Sequence, residues 1–565
     1  MRMTMGAALA LACLFAACGN NESTGGGGGT GAASGGHGGY GAGTVGGGGA
    51  AGGGATGGGG SAPVPWAPPI GIPEPPFGIN EQAPPRPADW GAEVPGFYYV
   101  ETAGCDDGRT YGHPGAPRCT IPASVPAGAL VALNGQLDSN QSFAAAGTVA
   151  SPVFVVAYDA YSRPLLTVSQ AVSGSYVVLE MLGYGPADAN DSEFGFWTGE
   201  GSDHIVLRHS ELSGNLQRAG GVGIGSWSYA GAESASFDVV FDVTVHDLGT
   251  LDANWDQDAH CVTVNGSVDN LWVLDSKLSR CSGDGIQIEA QTGRRDKIHH
   301  VYYGRNLSHD NRQSGGWVKH ATDVVFSQNL AFGFRNNSGG PGPCFGQQYG
   351  PERVWYLYNE GHDCNIGIIV GSGDPPGDGA DVYMIGNLIH DTQTENVGDP
   401  YNSGCIESRG PSTLWVVNNT CANVEGGVLV PPGTPAANLW NNIVRREPTT
   451  AAQTYDLYTE GGVTLVVEHN IFSASPRFTD GTEQTTCAGL SAMATASNCS
   501  TADPQFLSAT DFHVAFGSPA IDTGMEASVY ATFQGLYGLD IAFDRDEVAR
   551  PQGTAWDLGA YEYEP

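Results

Sequence analysis

Positive charge is scarce in this chain. Its 565 residues carry 23 lysines and arginines against 59 aspartates and glutamates, for a net charge of −36. That balance opposes binding to nucleic acid and to anionic membrane surfaces. It also makes a polyanionic ligand awkward, unless a local basic patch or a bound cation overrides the average. Long apolar runs are missing as well: after residue 17 nothing is long and apolar enough to cross a bilayer as a helix. The helix formers lysine, glutamate and leucine are few. Glycine, asparagine, valine, threonine and aromatics are plentiful, a mix that favours an all-β chain with many turns. There is no CxxC pair to suggest a zinc site, and no Gly-Lys-Ser/Thr follows the glycine-rich stretch, which excludes a phosphate loop.

The chain opens on a targeting segment. Arg2 precedes Met5 to Ala17, an apolar run too short to span a bilayer and of the length of a signal-peptide core. The run ends Leu14-Phe15-Ala16-Ala17-Cys18-Gly19. This resembles a bacterial lipoprotein cleavage box, with Phe15 in place of the usual leucine, and the resemblance implies that Cys18 is lipidated. Residues 1–18 are therefore read as a lipoprotein-type signal peptide, and the chain as an extracytoplasmic, outer-membrane or cell-surface lipoprotein anchored by lipid. Residues 25–60 hold 23 glycines in 36 positions, a flexible stretch without core-forming side chains, and residues 62–92 are proline-rich and stiffer. Residues 19–92 are expected to form a disordered tether.

From about residue 204 a repeat appears: a short β run, an asparagine, one or two apolar residues, often His-Asp, then glycine and another β run. Val301 to Asp310, Val354 to Asp363 and Val382 to Asp391 are three copies. Their asparagines, Asn306, Asn359 and Asn387, align with Asn329, Asn419, Asn442 and Asn470, at spacings of 23, 30, 28, 32, 23 and 28. A variable period of this size suits a parallel β-helix, each coil giving three short strands that pair with the next coil. Gly285-Ile286-Gln287-Ile288, Gly367-Ile368-Ile369-Val370 and Gly427-Val428-Leu429-Val430 supply alternating inward positions. The asparagines are expected at tight bends, in left-handed geometry, bonded in a ladder. The His-Asp pairs at His246, His309, His362 and His390 occupy equivalent turn positions and are read as a structural stack.

The ends need caps. Gly96 to Val100 through Pro117 to Pro122 and Ala127 to Val131 is similar to the N-terminal start of bacterial secreted β-helix proteins. Asp503 to Phe506, Ser518 to Gly524, Arg550-Pro551 and Asp557 to Tyr563 resemble their C-terminal segment. The resemblance, to the pectate-lyase-like superfamily, covers residues 95 to 565. It implies an all-β, right-handed parallel β-helix (a pectin-lyase-like solenoid) with N- and C-terminal capping segments: 93–203 the first coils, 204–475 the repeats, 476–565 the C-terminal cap. The fold itself hosts lyases, hydrolases, epimerases and inert adhesins, so it does not fix an activity. In such a solenoid, cysteines about one coil apart meet. Setting aside Cys13 and Cys18, ten cysteines form five close couples: Cys105/Cys119, Cys261/Cys281, Cys344/Cys364, Cys405/Cys421 and Cys487/Cys499. An even number in an exported chain favours disulfides.

Residues 294–320 are a basic island: Arg294, Arg295, Lys297, Arg305, Arg312 and Lys319 against Asp296 and Asp310, with His299, His300, His309 and His320 among them. Stacked on adjacent coils, these cations would suit the carboxylates of an acidic polysaccharide. If Val318 points inward, Trp317 and Lys319 point outward together. Trp317 could then stack on a sugar, and Lys319 could take the proton beside a uronate carboxylate. Trp317-Val318-Lys319 followed by a strand and asparagine looks like the lysine-bearing coil of family 9 pectate lyases and, more loosely, of alginate lyases. That resemblance implies β-elimination with Lys319 and Arg305 catalytic and Trp317, Arg312, His320 and Glu289 on the substrate. No cofactor is fixed; Ca²⁺ is the cation such chemistry uses, but Asp252, Asp256, Asp258 and Asp284 do not reproduce a family 9 calcium cluster. Two other readings stand beside the lyase. Glu289 with Glu407 and Arg409 would suit a glycoside hydrolase, and a non-catalytic adhesion or carbohydrate-binding solenoid suits the tether and the acidic surface. The expected partner is a polysaccharide, not nucleic acid, and the expected state is a monomer.

Overall fold

The computed structural model describes residues 66–186, 194–199, 201–218, 221–225, 234–251, 257–337, 339–371, 381–392, 404–410, 412–430, 434–447, 454–460 and 462–565. The signal segment, Cys18, the glycine-rich stretch, Asp252 and Asp256 lie outside the described residues. Three parallel ladders run through the rest, and one turn of chain visits each in order. Around the middle of the chain the first ladder is built from Val262–Asn265, Ile286–Glu289, Gly316–Lys319, Pro343–Gln348 and Ile366–Val370. The second is built from Val268–Leu274, Ile298–Gly304, Thr322–Ser327 and Glu352–Leu357. The third, of short strands, includes Lys277–Ser279, Leu307–His309, Leu330–Phe332 and Glu360–His362. Register joins Ile288 to Val318, Val301 to Val324 and Ser308 to Ala331, each one coil apart. This is the expected parallel β-helix, right-handed as such crossovers are.

Strand alternation sorts the side chains. Ile286, Ile288 and Val318 enter one core that runs without a break from Tyr98 to Leu490. Pairing also continues below residue 204, where the repeat fades from the sequence: Phe97–Val100 joins Leu130–Leu133, then Val153–Ala157, then Gln170–Glu180. Among the described residues no helix is long and apolar enough to cross a membrane.

The asparagine ladder is present, and it corrects one detail. Asn306, Asn329, Asn359, Asn387, Asn419, Asn442 and Asn470 are all buried, and each Oδ1 after the first accepts the backbone N–H and side-chain amide of the asparagine one coil before. The left-handed residue is not the asparagine but the one preceding it: Arg305, Gln328, Tyr358, Gly386, Asn418, Asn441 and His469. The bend is made there, which leaves the asparagine side chain free to point inward. Three of the four His-Asp pairs form the expected stack; His246 is in the same register but Ser279 stands between it and His309. His309, Phe332, His362 and His390 lie ring on ring at 4.9 to 5.0 Å, and Asp310, Asp363 and Asp391 are the left-handed residues that end the strands.

All five cysteine couples are disulfides, but the geometry behind them differs from the one-coil offset expected. Their separations of 12 to 20 residues are shorter than a coil. Cys261–Cys281, Cys344–Cys364 and Cys405–Cys421 therefore do not link equivalent points of neighbouring coils. Each closes the seam of one coil, where the third ladder returns to the first, and all six sulfurs belong to the core. Cys105–Cys119 corrects the expectation more strongly, because it joins no two coils. It closes a 14-residue loop in the entry segment between the strands Phe97–Val100 and Ser124–Pro126. Cys119 is half-buried and lies outside the core. Its N–H donates to Asp107 Oδ1 at 2.9 Å, and its carbonyl accepts from the Gln141 side-chain amide at 3.1 Å, so the bridge pins a surface loop onto the first turn of chain.

Both ends differ from expectation. From Trp66 the proline-rich segment is not part of a tether but a strap along the outer face of the second ladder. Trp66 Nε1 donates to Asp275 at 2.7 Å, Ile70 N to Gln328 Oε1 at 2.9 Å, and Trp272 Nε1 to the Pro73 carbonyl at 2.8 Å. Ile72 and Phe77 are buried against that wall. Gly78, at φ +113°, lies so close that a β-carbon there would sit 2.6 Å from Val206. At the other end, Phe478–Thr479, Cys487–Leu490 and the Cys487–Cys499 bridge cover the last coil, with Leu490 in the core. The remainder turns back along the flank. Helix Ser528–Tyr537 sets Phe533 edge-on against Trp355, 4.8 Å between ring centres.

Candidate functional site

The strand Gly316–Lys319 alternates as expected: Val318 enters the core, and Trp317 and Lys319 emerge together on the outer face of the first ladder. Register places Gln287 and Glu289 beside them on the preceding coil and Gly346 and Gln348 on the following one. Lys319 Nζ donates to Glu289 Oε2 at 3.3 Å, and the lysine side chain is only 15 % exposed. The Trp317 ring lies over Gly346, where a β-carbon would come within 2.3 Å of it.

At the edge of this face is a group that sequence reasoning missed. His260 sits between two carboxylates, Nε2 3.3 Å from Asp258 and Nδ1 3.2 Å from Asp284. Gln313 donates to Asp258 at 3.0 Å, Gln287 to Asp284 Oδ2 at 3.3 Å, and Ser314 to Asp284 Oδ1. Burial works to raise the Asp258 carboxyl, but His260, the charge of Lys319 and the Gln313 amide outweigh it and hold it well below the usual carboxylate range. Burial works against a charged His260 ring, yet the two carboxylates raise it to about 10. The Asp284 N–H also points at Nδ1, at 2.8 Å, a bond that only the neutral ring accepts. Two full charges outweigh one amide dipole, so the direction is upward. His260 had no signal of its own; Asp258 and Asp284 stood out only as acids without a metal-ligand spacing.

The basic island does not form one patch. Its window is about one coil long, so it wraps the whole circumference. Arg305 is at the corner between the second and third ladders, bonded to Asp275 at 2.7 and 3.1 Å and lying 5.4 Å over the Trp66 ring. It is therefore not beside Lys319, and a catalytic role with Lys319 is not supported by its position. Arg312 is buried at the corner leading into Gly316–Lys319, where its carbonyl accepts from Asn337. His320 is turned out of the strand by a left-handed backbone, is buried, and stacks on Tyr349 at 5.4 Å. Arg295–Lys297 form a short turn between the first and second ladders, and Arg294 pairs with Asp296. Glu407 and Arg409 pair with each other three strands beyond Lys319 on the same ladder, too far along it to act with Glu289.

Among the described residues, Asp258 and Asp284 do not make a calcium cage. Asp258 and Asp284 are both committed to His260. Among the described residues, the group spaced to hold a metal is instead Asp269, His299 and His300.

No protein-family model and no curated protein matches the chain. Solved structures do resemble it. A pectate lyase is 14 % identical, covering 83 % of this chain and 96 % of its own, with a TM-score of 0.38. A lacto-N-biosidase from Eubacterium ramulus is 15 % identical over 66 % and 67 %, at 0.40. A mannuronic acid specific polysaccharide family 6 lyase from human gut microbiota is 13 % identical over 68 % and 88 %, also at 0.40. At this distance the fold rests on the chain's own strand register.

Proposed function

We propose that the outer face around Lys319 binds an acidic polysaccharide and cleaves it by β-elimination. The observation that supports this most is the 3.3 Å contact between Lys319 and Glu289 beside an outward tryptophan on the same strand. Passage of one proton from Lys319 to Glu289 across this contact, once substrate covers the pair, leaves an amine beside a carboxylic acid. The Lys319 amine then takes the proton beside the uronate carboxylate. The released electron pair forms the C4–C5 double bond, and the glycosidic oxygen leaves with the proton of Glu289. The cycle ends on the starting ion pair. Trp317 is the sugar platform.

The test is incubation with polygalacturonate, alginate and glycosaminoglycans, with and without Ca²⁺, followed by the absorbance of unsaturated uronate. Lys319→Ala and Glu289→Gln are each expected to lower the rate about 10²–10⁴-fold. Activity that survives both discards the assignment. The carboxylates of Glu289 and Asp258, both close enough to feel the charge of Lys319, favour a second reading, hydrolysis. It would release reducing ends without unsaturation. Retention on a polysaccharide gel with no new ends would mark a binding solenoid.

We also propose that the chain is exported and anchored through Cys18. The five disulfides support an oxidising compartment. Cys18→Ser is expected to move the protein from the membrane fraction to the soluble one; an unchanged distribution removes the anchor.

A further inference from the structure

The second ladder carries a bulge that recurs from coil to coil. Phe237, Asn270, His300, Asp323 and Arg353 all have φ between +54° and +56° near the start of their strands. Neighbours on a regular strand point to opposite faces. The left-handed residue breaks that alternation, so it and the residue before it can emerge on the same side. In the coil of Ile298–Gly304 those two residues are both histidines. His299 Nδ1 lies 2.8 Å from His300 Nδ1, and 3.1 Å from Asp269 Oδ1 on the preceding coil, which pairs in register with His299. All three are partly exposed, and their ligand atoms lie within 4.8 Å of one another.

We propose that Asp269, His299 and His300 form a binding site for a divalent transition cation, Zn²⁺ in the first instance. Two imidazoles and one carboxylate are a zinc-type ligand set, and their nitrogens disfavour Ca²⁺ and Mg²⁺, which take oxygen. Around a tetrahedral ion with bonds of about 2.0–2.1 Å, ligand atoms stand roughly 3.3 Å apart. The observed 2.8 and 3.1 Å need open by only a few tenths of an ångström. Asn270 Nδ2 donates to Asp269 Oδ1 at 2.7 Å and so orients the carboxylate from outside the ligand shell. Among the described residues the site is particular to these two coils. The positions in register before and after carry Ser236 with Phe237 and Thr322 with Asp323, which repeat the bulge without the imidazoles. Three protein ligands leave a fourth position open to solvent.

Calorimetric titration of the full, tag-free, chelator-treated protein with ZnCl₂ tests this, with Co²⁺ absorption as a second readout of a tetrahedral nitrogen–oxygen site. One equivalent of Zn²⁺ is expected to bind. His299→Ala and His300→Ala are each expected to weaken it by more than about tenfold, and Asn270→Ala by roughly tenfold. The circular dichroism of the variants should match the parent, since these side chains are outside the core. Absence of binding overturns the site, and so does one-equivalent binding that both histidine variants retain.

Discussion

Asn359→Ala is expected to destabilise the solenoid by roughly 3–6 kcal/mol. The side chain is fully buried and works in both directions. Its Oδ1 accepts from Asn329 N at 3.1 Å and Asn329 Nδ2 at 2.9 Å, while its Nδ2 donates to the Phe326 carbonyl and to Asn387 Oδ1, each at 3.0 Å. Alanine leaves several of these groups buried without a partner, at about 1–3 kcal/mol apiece. Asn359→Asp does not rescue it, because a carboxylate cannot donate to the Phe326 carbonyl or to Asn387 and would bury a charge. A urea denaturation midpoint reads the loss. A change under about 1 kcal/mol would mean that water or backbone shifts replace the ladder.

Arg550→Ala is expected to cost about 3–5 kcal/mol, the penalty for stranding one member of a buried pair. Arg550 and Glu562 are both fully buried, 2.9 Å apart, and the guanidinium also donates to the carbonyls of Phe543, Asp557 and Gly559. Burial already raises the Glu562 carboxyl and Arg550 restrains it. Without the arginine, the acid takes up a proton or drags its segment into water. The first symptom should be proteolysis of the C-terminal return segment while the coils stay intact. Arg550→Met combined with Glu562→Gln should recover much of the loss, since the uncompensated charge is gone. Equal resistance of Arg550→Ala and the parent to protease would refute the pairing's role.

The repeat was legible because asparagine ladders and alternating valines and isoleucines leave a periodic trace. The five cysteine couples were legible as well, although the reason differs from a full-coil offset: three close a coil seam, and Cys105–Cys119 closes a surface loop before the repeats begin. That Lys319, Trp317 and Glu289 share an outward face was legible because strand alternation and register are strict rules. Arg305 misled for the same reason that the island attracted notice. Closeness in sequence over 27 residues means dispersal around a coil, not a shared face. His260 was silent because its partners, Asp258 and Asp284, come from two coils and follow no motif. The strap from Trp66 was silent too: prolines between isolated apolar residues have the composition of a linker, and only the outer wall of tryptophans and valines reveals what Ile72 and Phe77 are for.

That strap has a consequence for the order of assembly. Its residues are synthesised early, yet Trp66 waits for Asp275, 209 positions later, and Ile70 for Gln328, 258 positions later. Gly71 also meets Leu357, Phe533 and Ile541, the last two near the end of the chain. Phe77 can settle once Tyr176 and His204 have been made, and Ile72 once Gly304 has. The stretch around Gly71 is not fully covered until Phe533 and Ile541 follow, so the strap closes from its later residues back toward its earlier ones.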